Sequence, residues 1–130
     1  MPSKSTDAPQ RIAYGVDIHA GDTYLFDRYR LTEQQIIDFA RQWDQQRFHI
    51  EKDFAGAGIY HGLIASGLQT ICVFQRLATL AMFSTWSIVA GHSSRDARFL
   101  RPATHLTGTA TIRAVEFDGR GRALVTLSAG

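Results

Sequence analysis

GLIASGLQTICVFQRLATLAMF, residues 62–83, is the most apolar run of the chain, and its interpretation governs everything placed around it. It is long enough to cross a bilayer, so a membrane span is the first reading to test. Gln69, Gln75 and Arg76 argue against that reading, because their polar groups would be costly in hydrocarbon. Leu63, Ile64, Leu68, Ile71, Val73, Phe74, Leu77, Leu80 and Ala81 instead fall almost all around a helical cylinder. A helix apolar on nearly every side belongs inside its own protein, so a long central helix is expected over 62–83.

Working outward toward the N-terminus, Thr32 is followed three residues later by Gln35, the spacing at which two side chains satisfy each other's free backbone donors at a helix start. Ile36, Phe39, Ala40 and Trp43 then recur at intervals of three and four, while Gln34, Asp38, Arg41 and Gln42 fall on the opposite face. This predicts an amphipathic helix from Thr32 that ends near Asp44. Before it, Tyr24, Phe26, Tyr29 and Leu31 indicate an irregular first strand after a turn at Gly21-Asp22. Residues 1–13 are expected to be a disordered leader to a single domain over 14–130. Residues 45–61 read as a long loop with a short helical turn near 51–55.

Toward the C-terminus the period changes from 3.6 to two. Short extended runs are expected at 88–90, 97–100, 109–117 and 123–127. Thr109, Thr111, Arg113 and Val115 alternate with Ala110, Ile112 and Ala114, and Asp118-Gly119-Arg120-Gly121 is suited to close a hairpin. Helices followed by antiparallel strands define an α+β domain with a sheet curling around the long helix.

The composition agrees with one compact domain. At 130 residues with 45% hydrophobic and 20% charged residues, the chain can collapse around its own core without a metal or a disulfide. Fourteen Lys and Arg against twelve Asp and Glu leave a net charge of +2, and no run of like charges marks a nucleic-acid surface. Cys72 is the single cysteine, so no disulfide framework exists and a reducing, cytoplasmic location is expected. The first ten residues contain no signal-peptide core, and the absence of asparagine removes any N-glycosylation acceptor.

Several chemistries lack their residues. Gly56, Gly58 and Gly62 do not have dinucleotide spacing, no Gly-Lys-Ser/Thr phosphate loop occurs, and Ser66 lacks the flanking glycine of a nucleophile elbow. The five histidines, His19, His49, His61, His92 and His105, are dispersed, so no metal site is expected. Asp44 and His49 remain, five residues apart where the amphipathic helix runs into the loop. They could converge on one water as an acid/base pair, or simply be solvated at a helix end.

At these residues the chain resembles the MaoC-like enoyl-CoA hydratases, or R-specific hydratases, of the hot-dog fold. The family motif runs aspartate, any residue, asparagine, proline, any residue, histidine. WDQQRFHIE supplies Asp44 and His49 at the matching positions, with Gln46 for the asparagine and Arg47 for the proline. HGLIASG, from His61, is similar to the second family signature, and FLRPATHLTGT to the Phe-x-x-Pro-Val-x-x-Gly-Asp signature, with Thr107-Gly108-Thr109 at its turn. The resemblance implies a hot-dog fold, an antiparallel sheet wrapped around a long central helix, here one strand short of the family pattern. It further implies a homodimer without nucleic-acid or membrane partners and without a bound cofactor, acting on a CoA thioester as substrate.

By the same resemblance, the activity is hydration of a trans-2-enoyl thioester to the 3-hydroxyacyl thioester, or the reverse dehydration. Asp44 and His49 would handle the water and protons, and the Gly62 amide at the helix start would stabilise the enolate oxygen. Thr70 would lie near the acyl group. Arg47 would leave the loop looser than the family's proline and stay solvated, or else would pair with the Asp44 carboxylate or reach for an acidic group on the substrate. His49→Ala is expected to spare stability if the ring lines a cleft. Phe48, Phe54, Tyr60 and Trp86 are the bulky residues that could close an acyl tunnel. A thioesterase and a non-catalytic acyl-CoA-binding or structural subunit are the alternatives.

Overall fold

The computed structural model of the chain describes residues 12–86, 100–102 and 104–130. The described elements run β1 (Thr23–Leu31), α1 (Glu33–Trp43), α2 (Arg47–Ile50), α3 (Lys52–Ala57), α4 (Gly67–Ala81), β2 (Thr104–Phe117) and β3 (Ala123–Ala129). Among the described residues the strands form one antiparallel sheet in the order β1-β2-β3, and α4 packs across β1.

Local chemistry accounts for most of these boundaries. Thr32 caps α1 as its spacing predicts: its hydroxyl accepts the Gln35 N–H at 3.2 Å and the Gln35 side-chain oxygen accepts the Thr32 N–H at 2.9 Å. The irregularity of β1 is a register shift between Phe26 and Tyr29. It turns both Asp27 and Arg28 outward and lets Tyr29 and Leu31 face the core again. The β2–β3 hairpin closes at the expected Asp118, whose carboxylate accepts the N–H groups of Arg120 at 2.8 Å and Arg122 at 2.9 Å. Gly108 on β2 is hemmed in from both neighbours: a β-carbon there would lie 2.9 Å from the Gly130 carbonyl oxygen, just past β3, and 3.3 Å from the Phe26 ring of β1.

Two apolar clusters hold the layers together. Leu31, Ile36, Ala55, Leu63 and Ala65 join the end of β1 to α1, α3 and the segment before α4, with Phe48 and Leu100 packed against them. Ala78, Met82 and Ala110 join the far end of α4 to the sheet, flanked by Tyr24, Phe26, Phe74 and Trp86. Each fully buried Leu, Ile or Met contributes about 1.5–3 kcal/mol. A polar tie completes the packing, as the buried Gln69 amide donates to the Gln35 carbonyl at 3.1 Å and links α4 to α1.

The structure corrects several expectations. The central helix begins at Gly67 rather than Gly62 and ends at Ala81. Residues 63–66 stay non-helical because their backbone groups are engaged elsewhere: Ile64 N–H reaches the Phe48 carbonyl at 3.4 Å and Ala65 N–H the Leu100 carbonyl at 2.8 Å. Ser66 then caps the helix, its hydroxyl accepting the Leu68 N–H at 3.2 Å. α4 also buries one face only, through Gln69, Val73, Leu77 and Ala78, while Leu68, Cys72 and Leu80 are exposed. On α1, Trp43 is exposed instead of joining the apolar face, and Ile37 packs on the core in its place.

The strand expected at 109–117 extends back to Thr104, and the last reaches Ala129. The expected run at 88–90, and that at 97–100 except for Leu100, lie outside the described residues, as does most of the 1–13 leader. Ala13 itself donates its N–H to the Thr85 carbonyl at 2.7 Å. No helix among the described residues is long and apolar enough to cross a membrane.

Candidate functional site

The C-terminus of α1 and the N-terminus of α4 meet at Asp44. The residue closes α1 as its C-cap, its N–H donating to the Ala40 carbonyl at 2.8 Å, which leaves its side chain free of the helix. One carboxylate oxygen accepts the Gln46 side-chain amide at 2.9 Å, and the other accepts the Ser66 hydroxyl at 2.7 Å. These two donors, first Gln46 and then Ser66, hold the Asp44 carboxyl below its usual range, with the neighbouring His49 adding to them against a smaller opposing effect of burial. Ser66 has two tasks, capping α4 and orienting the carboxylate, so the helix start and the acidic group are one hydrogen-bonded unit.

His49 stands in α2, a single turn whose placement follows from Gln46 in extended conformation just before it. Only 1% of the residue is exposed. Its Nδ1 lies 2.7 Å from the Ile64 carbonyl oxygen. A carbonyl only accepts, so Nδ1 carries a proton and donates it there, which leaves Nε2 as the ring atom turned toward Asp44. Nε2 lies 3.4 Å from an Asp44 carboxylate oxygen. The two groups face each other across a gap longer than most direct hydrogen bonds, a geometry that a small molecule hydrogen-bonded to both satisfies.

The pair opens into a cleft of about 470 Å³ lined by Asp44, Gln46, Phe48, His49, Tyr60, Ser66, Gly67 and Leu68. Phe48 sets its ring against His49 with centroids 4.5 Å apart, and Tyr60 lies 5.7 Å from Phe48. One wall is therefore aromatic and the other is the first turn of α4. Gly67, the first residue of that helix, lines the cleft; its N–H precedes the intrahelical ladder and belongs to the positive end of the helix dipole.

Of the residues singled out in the sequence, Asp44 and His49 come together and the other three do not join them. Gly62 lies five residues before the helix, outside the cleft lining, and its N–H is already given to the Ala55 carbonyl at 3.0 Å. Thr70 sits in the first turn of α4, its N–H bonded to the Ser66 carbonyl at 3.1 Å, and does not line the cleft. Arg47 turns away from Asp44: it pairs with Glu51 and stacks over the Phe54 ring at 4.0 Å. Phe54 is thereby taken from the cleft, and Trp86 belongs to the cluster at the far end of α4. The sequence reading missed Ser66, Gln46 as a donor to Asp44, and Gly67. A serine directly before Gly67-Leu68 is the ordinary start signal of a helix, and it would have moved both the helix and its first amide to the right place.

A family model described as MaoC like domain matches residues 17–121 of the chain. The uncharacterized protein YdeM of Bacillus subtilis (strain 168) is 28% identical over 82 residues, covering 63% of this chain and 58% of YdeM. The match therefore spans less than two thirds of that relative's length. Among solved structures, the MaoC-like dehydratase from Rhodospirillum rubrum superposes with a TM-score of 0.77 at 27% identity, covering 88% of this chain and 81% of that one. The (R)-hydratase from A. caviae involved in PHA biosynthesis gives a TM-score of 0.63 at 17% identity, covering 86% and 94%, and so shares the fold.

Proposed function

This chain belongs to the MaoC-like domain family, and from that premise we propose that it hydrates a trans-2-enoyl thioester, a CoA ester, to the 3-hydroxyacyl thioester, or runs the reverse dehydration. Its fold is the hot-dog fold, with the antiparallel sheet packed on α4. The observation that carries the reading is the facing of Asp44 and His49 Nε2 at 3.4 Å. With His49 acting as a neutral base, a water that donates one hydrogen to each group is held with its oxygen lone pairs directed into the cleft. Attack of that oxygen on the β-carbon moves the electrons of the double bond toward the thioester carbonyl. One water proton passes to the acid/base pair, and a proton returns from it to the α-carbon. The developing enolate oxygen is met by the Gly67 amide, which replaces Gly62 in that role.

Crotonyl-CoA tests the proposal, since hydration removes its conjugated absorbance. Loss of that absorbance with no release of thiol is the expected result. Thiol release from a saturated acyl-CoA would make the protein a thioesterase, and saturable binding without turnover would make it a binding module. A homodimer in the cytoplasm belongs to the same proposal; the exposed Leu80 on α4 supports pairing, and sedimentation equilibrium measures it.

The proline missing from the motif does not count against activity. Arg47 occupies the first position of α2, where proline is well accommodated, and Gln46 before it has φ −72° and ψ 136°, the conformation a following proline demands. Arg47→Pro is therefore expected to fold normally and to leave turnover of crotonyl-CoA unchanged or raise it by about two- to threefold, because the ring limits the loop without touching the cleft. Steady-state kinetics and a thermal melt of the variant check this.

A further inference from the structure

We propose that Arg101 is a positioning residue that sets the Tyr60 wall of the cleft and thereby how tightly the acyl thioester is held. The kinetic part of this inference rests on the hydratase reading. Residues 58–62, which carry Tyr60, form a tight turn after α3. His61 N–H donates to the Gly58 carbonyl at 3.1 Å and Gly62 N–H to the Ala55 carbonyl at 3.0 Å. The turn passes through left-handed backbone at two successive residues, His61 at φ 55° and Gly62 at φ 153°. A histidine in that region is strained and persists only where its surroundings hold it there.

Arg101 supplies the hold. Its Nη2 donates to the Tyr60 carbonyl at 2.7 Å, immediately before the strained pair. Its Nη1 lies 3.2 Å from where a β-carbon on Gly62 would be, so the guanidinium fills the space that glycine leaves open. The neighbouring Leu100 accepts the Ala65 N–H at 2.8 Å. Two adjacent residues thus grip the chain on both sides of the pre-helical segment, one at Tyr60 and one at the approach to Ser66 and Gly67. Pro102 disfavours helical backbone at Arg101. The grip reaches the chemistry through rings: Tyr60 packs on Phe48, and Phe48 on His49.

The experiment compares the full-length protein with its Arg101→Ala and Arg101→Lys variants by amide hydrogen exchange, by crotonyl-CoA kinetics and by thermal melting. Arg101→Ala should speed exchange of the Gly62 N–H and raise KM, each by about tenfold, the scale of one charge-assisted hydrogen bond, while kcat stays within about threefold. Arg101→Lys, which keeps one cationic donor for the Tyr60 carbonyl, should recover most of both effects. Unchanged Gly62 exchange in the alanine variant overturns the proposal, as does a lysine variant no better than alanine or a loss confined to kcat. Should the alanine variant unfold, Arg101→Met, which keeps the aliphatic stem without the donors, carries the same comparison. A wild-type protein that does not turn over crotonyl-CoA overturns the hydratase reading instead, and the exchange measurement then decides the role of Arg101 alone.

Discussion

Asp44→Asn leaves a folded protein that has lost crotonyl-CoA hydration by at least about a hundredfold, the lower range for a positioned acid/base group. The amide keeps the shape of the carboxylate and the two hydrogen-bonding positions that Gln46 and Ser66 now occupy. A flip of the Gln46 amide lets its oxygen accept from the new amide nitrogen while the Ser66 hydroxyl still donates to the amide oxygen, so secondary structure and cooperativity of unfolding are retained. What is lost is the ability to accept a proton from water. The variant also separates in its pH dependence. Because the Asp44 carboxyl is held below its ordinary value of 3.8, it contributes stability that is fully present above that value and disappears as the pH falls through the lowered one. The thermal midpoint of the wild type should therefore exceed that of Asp44→Asn near neutrality, and the gap should close below about pH 4. A gap that widened on acidification would contradict the hydrogen bonding described for Asp44.

His49→Ala is expected to abolish turnover to a similar extent and, unlike Asp44→Asn, to destabilise the protein by about 2–4 kcal/mol, measured by urea unfolding. The expectation of a small stability effect held for a ring that merely lines a cleft, whereas His49 is buried and its Nδ1–H satisfies the Ile64 carbonyl. Removing it leaves a cavity beside Phe48 and an unpaired carbonyl in the segment that leads into α4. His49→Asn divides the two effects: its amide nitrogen can take the place of Nδ1 and restore much of the stability, but nothing replaces Nε2. Activity recovered together with stability in that variant would remove His49 from the proton transfers.

What the sequence made legible was local. Thr32 and Gln35 are three residues apart and cap each other, Asp118 folds its own hairpin, and the α+β order followed from a change of period. The start of the central helix was not legible, because residues 63–65 are as apolar as a helix requires and are kept out of it by the distant carbonyls of Phe48 and Leu100. That five-residue shift carried the Gly62 assignment with it. The position of Arg47 was hidden for a related reason: its partner Glu51 and the Phe54 ring fall on its own side only once α2 and α3 have formed. Asp44 and His49 were visible through a motif spacing, but their shared orientation depends on Ser66 and Ile64, fifteen or more residues further on.

The hydroxyl of Ser66 ties the first turn of α4 to the carboxylate of Asp44, and this has a thermal consequence. Helix ends open at lower free energy than the body of a fold. Each fraying event at Leu68 takes away the backbone donor that helps fix the Ser66 hydroxyl and loosens its hold on the carboxylate, leaving Gln46 as the firmer of the two donors, while the sheet and the rest of α4 remain intact. Warming is therefore expected to disable the cleft before it melts the protein, so that the temperature of greatest turnover should lie below the unfolding midpoint, in a range where circular dichroism still reports a fully folded chain.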